Sequence, residues 1–272
     1  IMIRTQKIEV ESSKQIAICG GPYSNFSSLE AFIKQTINYQ HRFCLGDIGG
    51  FGPLPDRSIF LLQKNKIICL QGNYDQTVGE GEADCGCGYI DPIDRKFAQI
   101  SFDYTLKNTS EDNRAWLRSL PQHILLKWGS KKILLCHGSP DEVNEFVFES
   151  EVTEEKIDHW LLKFEVDAIC VTHSGIPWSK KTSKGSWVNV GVLGRPAHEG
   201  LKRVFYATAK MINENLEFKI HPLDYNPDEV IEVMRQEGLP EEFCQSLLLG
   251  EWTTCAAILP SAEKKLRKRI FR

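Results

Sequence analysis

Five short apolar runs, each stopping abruptly at a turn of glycine and polar residues, constrain this chain most. They are Ile16-Ala17-Ile18-Cys19, Phe43-Cys44-Leu45, Ile67-Ile68-Cys69-Leu70, Ile133-Leu134-Leu135-Cys136 and Ala168-Ile169-Cys170-Val171. Short continuous runs rich in aliphatic and β-branched residues read as strands buried on both faces, because half-exposed strands alternate instead. Helical patterns lie between them. Phe26, Leu29, Ile33 and Ile37 recur at helical spacing behind a Ser27-Ser28-Leu29-Glu30 capping box. Trp116, Leu117 and Leu120 mark a second helix capped by Ser110, and Thr153 to Leu162 reads as a third. Strands alternating with helices predict an α/β fold with a layered, mixed sheet.

Trp187 to Val190 and Arg203 to Ala207 read as further strands, close enough in sequence to be antiparallel neighbours. From Pro222 the pattern changes. Pro227 to Gln236 and Pro240 to Leu249 read as two short helices split by Gly238-Leu239-Pro240. The expected organisation is an α/β domain over residues 1–221 and a helical appendage over residues 222–272. The basic stretch from Lys264 to Arg272 is expected to be a solvated, frayed terminus.

Composition closes off other classes. A chain of 272 residues buries a sizeable core without disulfide or metal staples. Its 33 basic and 36 acidic residues give a formal net charge of -3, which argues against a general electrostatic grip on nucleic acid or anionic membrane. Mean hydropathy is -0.29 and no apolar run approaches the length of a spanning helix. Arg4, Lys7, Glu9, Glu11 and Lys14 break up the first stretch, which does not read as a secretory signal. The nine cysteines are an odd number and several sit inside apolar runs. That pattern suits small buried hydrophobes in a reducing cytoplasm.

Asp47, Asn73, His137 and His173 each lie just beyond the C-terminal end of an expected strand, the edge where open α/β sheets bind ligands. Two imidazoles, a carboxylate and an amide oxygen suit Mn, Fe, Zn or Co better than Ca. Taken singly, each has a plainer reading: a hydrogen-bonded histidine, or the turn dipeptides Gly46-Asp47 and Gly72-Asn73. Their coincidence at four strand ends favours a joint site.

The segments GDIGGFGPLPD from Gly46, GNYD from Gly72, CHGSP from Cys136, THSGIP from Thr172 and NVGVLGRP from Asn189 together resemble the calcineurin-like metallophosphoesterases. The resemblance runs in order over about residues 15–210, and the stretches Glu82 to Tyr89 and Gly238 to Cys255 are similar to a bacterial subgroup nearer to small phosphodiesterases. It implies a layered β-sandwich flanked by helices, with two metals at the strand ends that clamp a phosphate and lower the pKa of a water. Carried over, Asp47 is the bridging carboxylate, and Asn73, His137 and His173 complete the second metal's shell. Asp75 orients neighbours of the phosphate. Tyr74 stands where many members have a histidine acting as acid or phosphate ligand, and as an acid it is weaker near neutral pH.

The departures concentrate in one place. The family's Asp-x-His after the first strand reads Gly21-Pro22-Tyr23 here, and Gly175 replaces the second histidine of its Gly-His-x-His block. Those positions are the first metal's exclusive ligands. Random loss of three among seven ligands strips one metal and spares the other in only about two of 35 triples. The resemblance therefore implies a retained second site and a first site abolished or rebuilt, with one transition metal per chain. Candidate substitutes are Tyr23 as a phenolate, Cys19, the Cys85/Cys87 pair, backbone N–H groups of the Gly20-Gly21-Pro22 turn, and Arg195 as a phosphate contact, although tight-turn and solvent-facing roles are the plainer readings. The expected activity is hydrolysis of a small phosphomonoester, phosphodiester or nucleotide. The rival is a non-catalytic descendant that binds metal or a phosphate-bearing ligand as sensor or scaffold, and iron chemistry at Tyr23 is a third option.

Overall fold

The computed structural model describes residues 3–269 apart from Ser12. The first half of the chain runs β1 (Thr5–Val10), β2 (Gln15–Cys19), α1 (Phe26–Gln35), β3 (His41–Cys44), α2 (Pro55–Lys64), β4 (Ile68–Cys69), α3 (Asn73–Glu80), α4 (Pro92–Asn108) and α5 (Glu111–Ser119). It continues with β5 (His123–Trp128), β6 (Lys131–Leu135), α6 (Glu154–Lys163), β7 (Ala168–Val171), β8 (Trp178–Lys181), β9 (Ser186–Asn189), β10 (Val204–Ile212) and β11 (Asn215–Leu223). Three helices end it: α7 (Asp228–Gln236), α8 (Glu241–Leu249) and α9 (Ser261–Arg269).

The strands form two mixed sheets, ordered β1-β5-β6-β7-β9-β8 and β11-β10-β2-β3-β4. The apolar runs are continuous because both faces of their strands are covered. Ile16, Ile18, Phe43, Leu45 and Leu70 from one sheet meet Ile124, Leu126, Ile133, Leu135, Ala168 and Cys170 from the other. The intervening residues Ala17, Cys19, Cys44 and Cys69 face the opposite way, into a core built with α1 to α5. The outer face of the other sheet packs Ile169, Val171 and Trp187 against Ile157, Trp160 and Leu161 of α6. The result is a helix–sheet–sheet–helix sandwich. The C-terminal helices dock through Val230, Ile231, Met234, Phe243 and Leu247 around Phe26.

Several local expectations change. α1 is capped by Asn25, whose side chain accepts from the Ser28 N–H, rather than by Ser27. Ile37 lies beyond that helix and is exposed. Ser110 precedes α5 without a side-chain cap bond, whereas Thr153 caps α6 by accepting from Lys156 N–H. β9 and β10 are not neighbours: β9 lies between β7 and β8 in one sheet, and β10 between β11 and β2 in the other. The segment joining them crosses the mouth of the sandwich, so short sequence separation reflects a sheet change and not a hairpin. The basic C-terminal stretch is helical up to Arg269, and Glu263 is buried and accepts from the Ser150 N–H; residues 270–272 lie outside the described part. Cys85 and Cys87 are joined in a disulfide, while the other seven cysteines are free and buried. No helix among the described residues is long and apolar enough to cross a membrane.

Candidate metal centre

Asp47 and Asn73 follow β3 and β4 of one sheet, and His137 and His173 follow β6 and β7 of the other. The site therefore lies where the parallel strands of both sheets end, at the mouth between them. Two glycines let the loops meet. Gly46 has φ +83, and a Cβ there would lie 2.2 Å from the Gly72 nitrogen. A Cβ on Gly72 would lie 2.3 Å from Asp47 Oδ1 and 2.9 Å from His137 Cε1. Asp47 itself is held at φ 54, a left-handed conformation that costs a non-glycine residue energy and persists where surroundings enforce it.

Asp75 supplies that enforcement. Its carboxylate accepts from the backbone N–H groups of Asp47 at 2.7 Å, Ile48 at 2.9 Å and Gly72 at 2.9 Å. It is a clamp on the loops that carry Asp47 and Asn73. Burial and the neighbouring Asp47 raise its pKa to about 7, against the pull of the Gly72 and Ile48 N–H groups.

Asp47 Oδ2 lies 3.2 Å from His137 Nε2, and that nitrogen lies 3.0 Å from His173 Nδ1. Ligand atoms of Asp47, His137 and His173 all fall within 4.8 Å of one another, and all three residues are buried. The Leu45 carbonyl faces His137 Nδ1 and accepts a hydrogen bond from it, so in the neutral imidazole Nε2 carries the lone pair toward the cluster. Burial opposes charge on Asp47, but His137, His173 and the Tyr74 N–H outweigh it and its pKa falls. Burial also disfavours a cationic His137, yet Asp47 raises it overall. Burial and His137 push His173 down to about 3, so that imidazole is neutral.

Asn73 completes the picture. Its Nδ2 donates to the Cys85 carbonyl at 2.9 Å, while its Oδ1 is buried with no hydrogen-bond partner. A buried, unpartnered amide oxygen from the neighbouring strand end, with a carboxylate and two imidazoles, makes a donor set that fits a divalent cation of the borderline kind.

The other expected positions are occupied differently. A Cβ on Gly21 would lie 2.5 Å from Cε1 of Tyr23, so the Tyr23 ring fills the space a side chain at position 21 would need. Burial and Asp47 hold the Tyr23 phenol well above its usual pKa, which disfavours the phenolate expected of a replacement ligand. A Cβ on Gly175 would lie 3.2 Å from the Trp252 ring. Arg195, expected at a solvent-facing turn, is buried with its guanidinium 3.5 Å above that same Trp252 ring. At the Gly20-Gly21-Pro22 turn the Gly21 carbonyl accepts from Leu193 and Gly194, and the following Tyr23 and Ser24 N–H groups donate to the carbonyls of Asp47 and Ile48. The Tyr74 hydroxyl is hydrogen-bonded to Ser101 Oγ at 2.8 Å and its ring packs edge-on to Phe102, so it faces α4. Cys19 is buried in the helix-facing core, and the disulfide engages Cys85 and Cys87.

Some contributors were invisible in the sequence. The Leu45 carbonyl carries no residue signature. Phe146, whose ring centroid lies 4.3 Å from that of His173, comes from a segment with no motif of its own, and Trp252 was not singled out within the Gly238 to Cys255 stretch.

Comparison with known proteins places this geometry. The sequence profile of the calcineurin-like phosphoesterases matches residues 14–197. An uncharacterized protein of Methanocaldococcus jannaschii is 26% identical over 257 residues, covering 86% of this chain and 98% of its own. Two solved structures share the fold. A hypothetical protein of Pyrococcus horikoshii has a TM-score of 0.73 at 21% identity, covering 87% of this chain and 98% of its own. A metallophosphoesterase of Sphaerobacter thermophilus has a TM-score of 0.69 at 21% identity, covering 88% and 99%.

Proposed function

The chain belongs to the calcineurin-like phosphoesterase family, and on that premise we propose that it is a metal-dependent hydrolase of a small phosphomonoester, phosphodiester or nucleotide, working with one metal. The observation that carries this reading is that ligand atoms of Asp47, His137 and His173 all lie within 4.8 Å of one another, while the Asn73 Oδ1 of the adjoining strand-end loop is buried without a partner. These four residues would hold the metal, which we assign to Mn, Fe, Zn or Co from the donor set. When bound, such an ion supplies Lewis acidity to a phosphoryl group and to water.

The chain's own residues do the rest. Asp75 fixes the loop conformation that aims Asp47. The Leu45 carbonyl sets the His137 tautomer. Phe146 shields His173 from bulk water. Tyr23 and Trp252 fill the positions that the resemblance assigns to a first metal, which supports a single-metal site. The Tyr74 hydroxyl, held by Ser101, is a positioning group rather than a proton donor in this reading.

A second reading rests on a specific observation. Asp47, Asn73, His137 and His173 are each no more than 6% exposed. A site this covered also suits a sensor or scaffold that holds a metal without turnover. We place the protein in a reducing cytoplasm on the strength of its seven buried free thiols, against which the Cys85–Cys87 disulfide stands as the exception, with residues 1–221 as the phosphoesterase domain and 222–272 as its extension.

Metal content per chain, with Asp47→Ala as control, and hydrolysis of a panel of phosphoesters test both readings. One metal with metal-dependent turnover is the expected result. One metal without turnover favours the sensor, and absence of metal after reconstitution with Mn, Fe, Zn or Co sinks the hydrolase and leaves a scaffold that binds a phosphate-bearing ligand.

A further inference from the structure

The Cys85–Cys87 disulfide joins two near neighbours in the chain, while the other seven cysteines are free and buried. A disulfide stabilises mainly by closing loops in the unfolded chain, so one that closes so short a loop is a poor staple. Its place in the fold points to another use. Cys87 Sγ lies 3.5 Å from Asn73 Nδ2, and the same amide donates to the Cys85 carbonyl at 2.9 Å. The Cys87 backbone bears on the His173 imidazole. Asn144 Nδ2 donates to the Gly86 carbonyl at 2.9 Å. The Tyr89 ring lies 5.9 Å from that of Phe146, which in turn lies against His173. Residues 84–89 are thus part of the cover on the candidate metal centre, and Asn73 and His173 beneath it are 2% and 6% exposed.

The same loop lines an open groove of about 230 Å³. One water needs only ~10–15 Å³ by that measure, so there is room for a small organic molecule. Two charged side chains stand on its wall. Asp84 accepts from the Gly86 N–H, and Arg95 presents a guanidinium suited to a carboxylate. Cys85 and Cys87 are themselves 6% and 8% exposed, so only a reagent that fits this groove reaches them.

We propose that Cys85–Cys87 is a thiol–disulfide exchange site that takes a small carboxylate-bearing thiol in the groove beside Arg95, and that its reduction frees residues 84–89 from the candidate metal centre. Cys87 Sγ is turned to Asn73, so the thiolate of the reductant attacks Cys85 Sγ. The S–S bond breaks, its electron pair leaves on Cys87 Sγ, and a mixed disulfide forms at Cys85. Asn73 Nδ2 stands where it donates to the departing sulfur. A second thiolate attacks the reductant's sulfur in the mixed disulfide, which releases Cys85 and the symmetrical disulfide of the reductant. Two thiols are oxidised for one protein disulfide reduced, and their two protons reach the cysteines through solvent. Gly86 and Gly88, at φ +58 and +80, flank Cys87 and let the opened loop take up other conformations. None of this depends on whether the centre turns over a phosphoester.

The test uses the full chain, treated with chelator and incubated with mercaptoacetate, which carries a carboxylate, or with mercaptoethanol, which does not. Native alkylation and peptide mass mapping then locate free thiols. Cys85 and Cys87 should take label only after reduction, with the seven buried thiols unlabelled throughout. Arg95→Met should slow reduction by mercaptoacetate about 3-fold, an effect that fades in high salt, and leave mercaptoethanol unchanged. Opening of the cover is read as carbethoxylation of His173 by diethyl pyrocarbonate, which should quicken at least ~10-fold on reduction. A chain with both Cys85→Ser and Cys87→Ser should show the fast rate with no thiol added. Should that chain not fold, the wild type before and after reduction decides. A pair that yields to thiols only in denaturant, or that is found as two thiols and stays so in excess oxidised mercaptoacetate, overturns the proposal. So does equal slowing of both reductants by Arg95→Met, and so does His173 labelling that ignores the redox state.

Discussion

The two halves of the site mouth are built from opposite materials. Around Asp47, His137 and His173, polar atoms pair with one another at 3.0 to 3.2 Å and an amide oxygen is left without a partner. Around positions 21, 23 and 175, the same mouth is filled by the Tyr23 ring and covered by Trp252. The first arrangement is strained and polar, the second packed and aromatic. A site that had merely lost ligands would leave a void, and voids are unfavourable because their walls lose contacts. Here the space next to Gly21 is taken by an aromatic ring and the space next to Gly175 lies against another. The difference teaches that the second half is a piece of core, with its own packing to defend, while the first half is a buried polar cluster that could hold a cation.

Removing a ligand from the polar half should have the largest effect. His137→Ala or Asp47→Ala should lower metal affinity by two orders of magnitude or more (~100-fold), measured by metal analysis and competition with a chelator. Undiminished metal in either variant would break the comparison at its root. On the aromatic half, Trp252→Ala should destabilise the fold by about 3–5 kcal/mol while sparing metal content. Denaturant melts read the first part and metal analysis the second; a stable variant without metal would reverse the assignment.

Acid should act on the two kinds of histidine differently. Burial lowers His123 from 6.5 to about 4, so the folded state favours its neutral form. The unfolded chain takes up that proton first, so this stability is complete above pH 6.5 and is lost as pH falls toward about 4. The loss is at most about 3 kcal/mol. His123→Gln should flatten that part of the profile in chelator-treated protein. An unchanged profile would mean that the acid sensitivity belongs to the site. The smallest effect is expected of Gly21→Asp, which should cost about 1–3 kcal/mol by overpacking against Tyr23. Adding Tyr23→Ala should relieve the clash, a coupling that a double-mutant cycle measures. A neutral Gly21→Asp that binds a second metal would show that the aromatic half is soft after all.

Much of this was legible residue by residue. The apolar runs gave β2, β3, β4, β6 and β7 because strands buried on both faces carry a local pattern. Strands with one wet face were missed, as with β11, where buried and exposed positions mix. α4 also escaped, although it spans 17 residues, because its buried positions are spread among polar ones. The α1 cap was misplaced by two residues, since Asn25 and Ser27 are both good caps and only the turn geometry chooses. The Tyr74 partner was not legible, because nothing nearby in sequence announces Ser101.

The sequence by itself determined that short buried strands end in Asp47, Asn73, His137 and His173, because strand burial and donor chemistry are both local properties. Tertiary structure alone decided that the Tyr23 ring turns into the space beside Gly21, that Trp252 returns from the C-terminal extension to cover Gly175, and that Arg195 is buried on it. Those outcomes depend on which segments compete for the same volume. Close packing settles that competition only once the whole chain has folded.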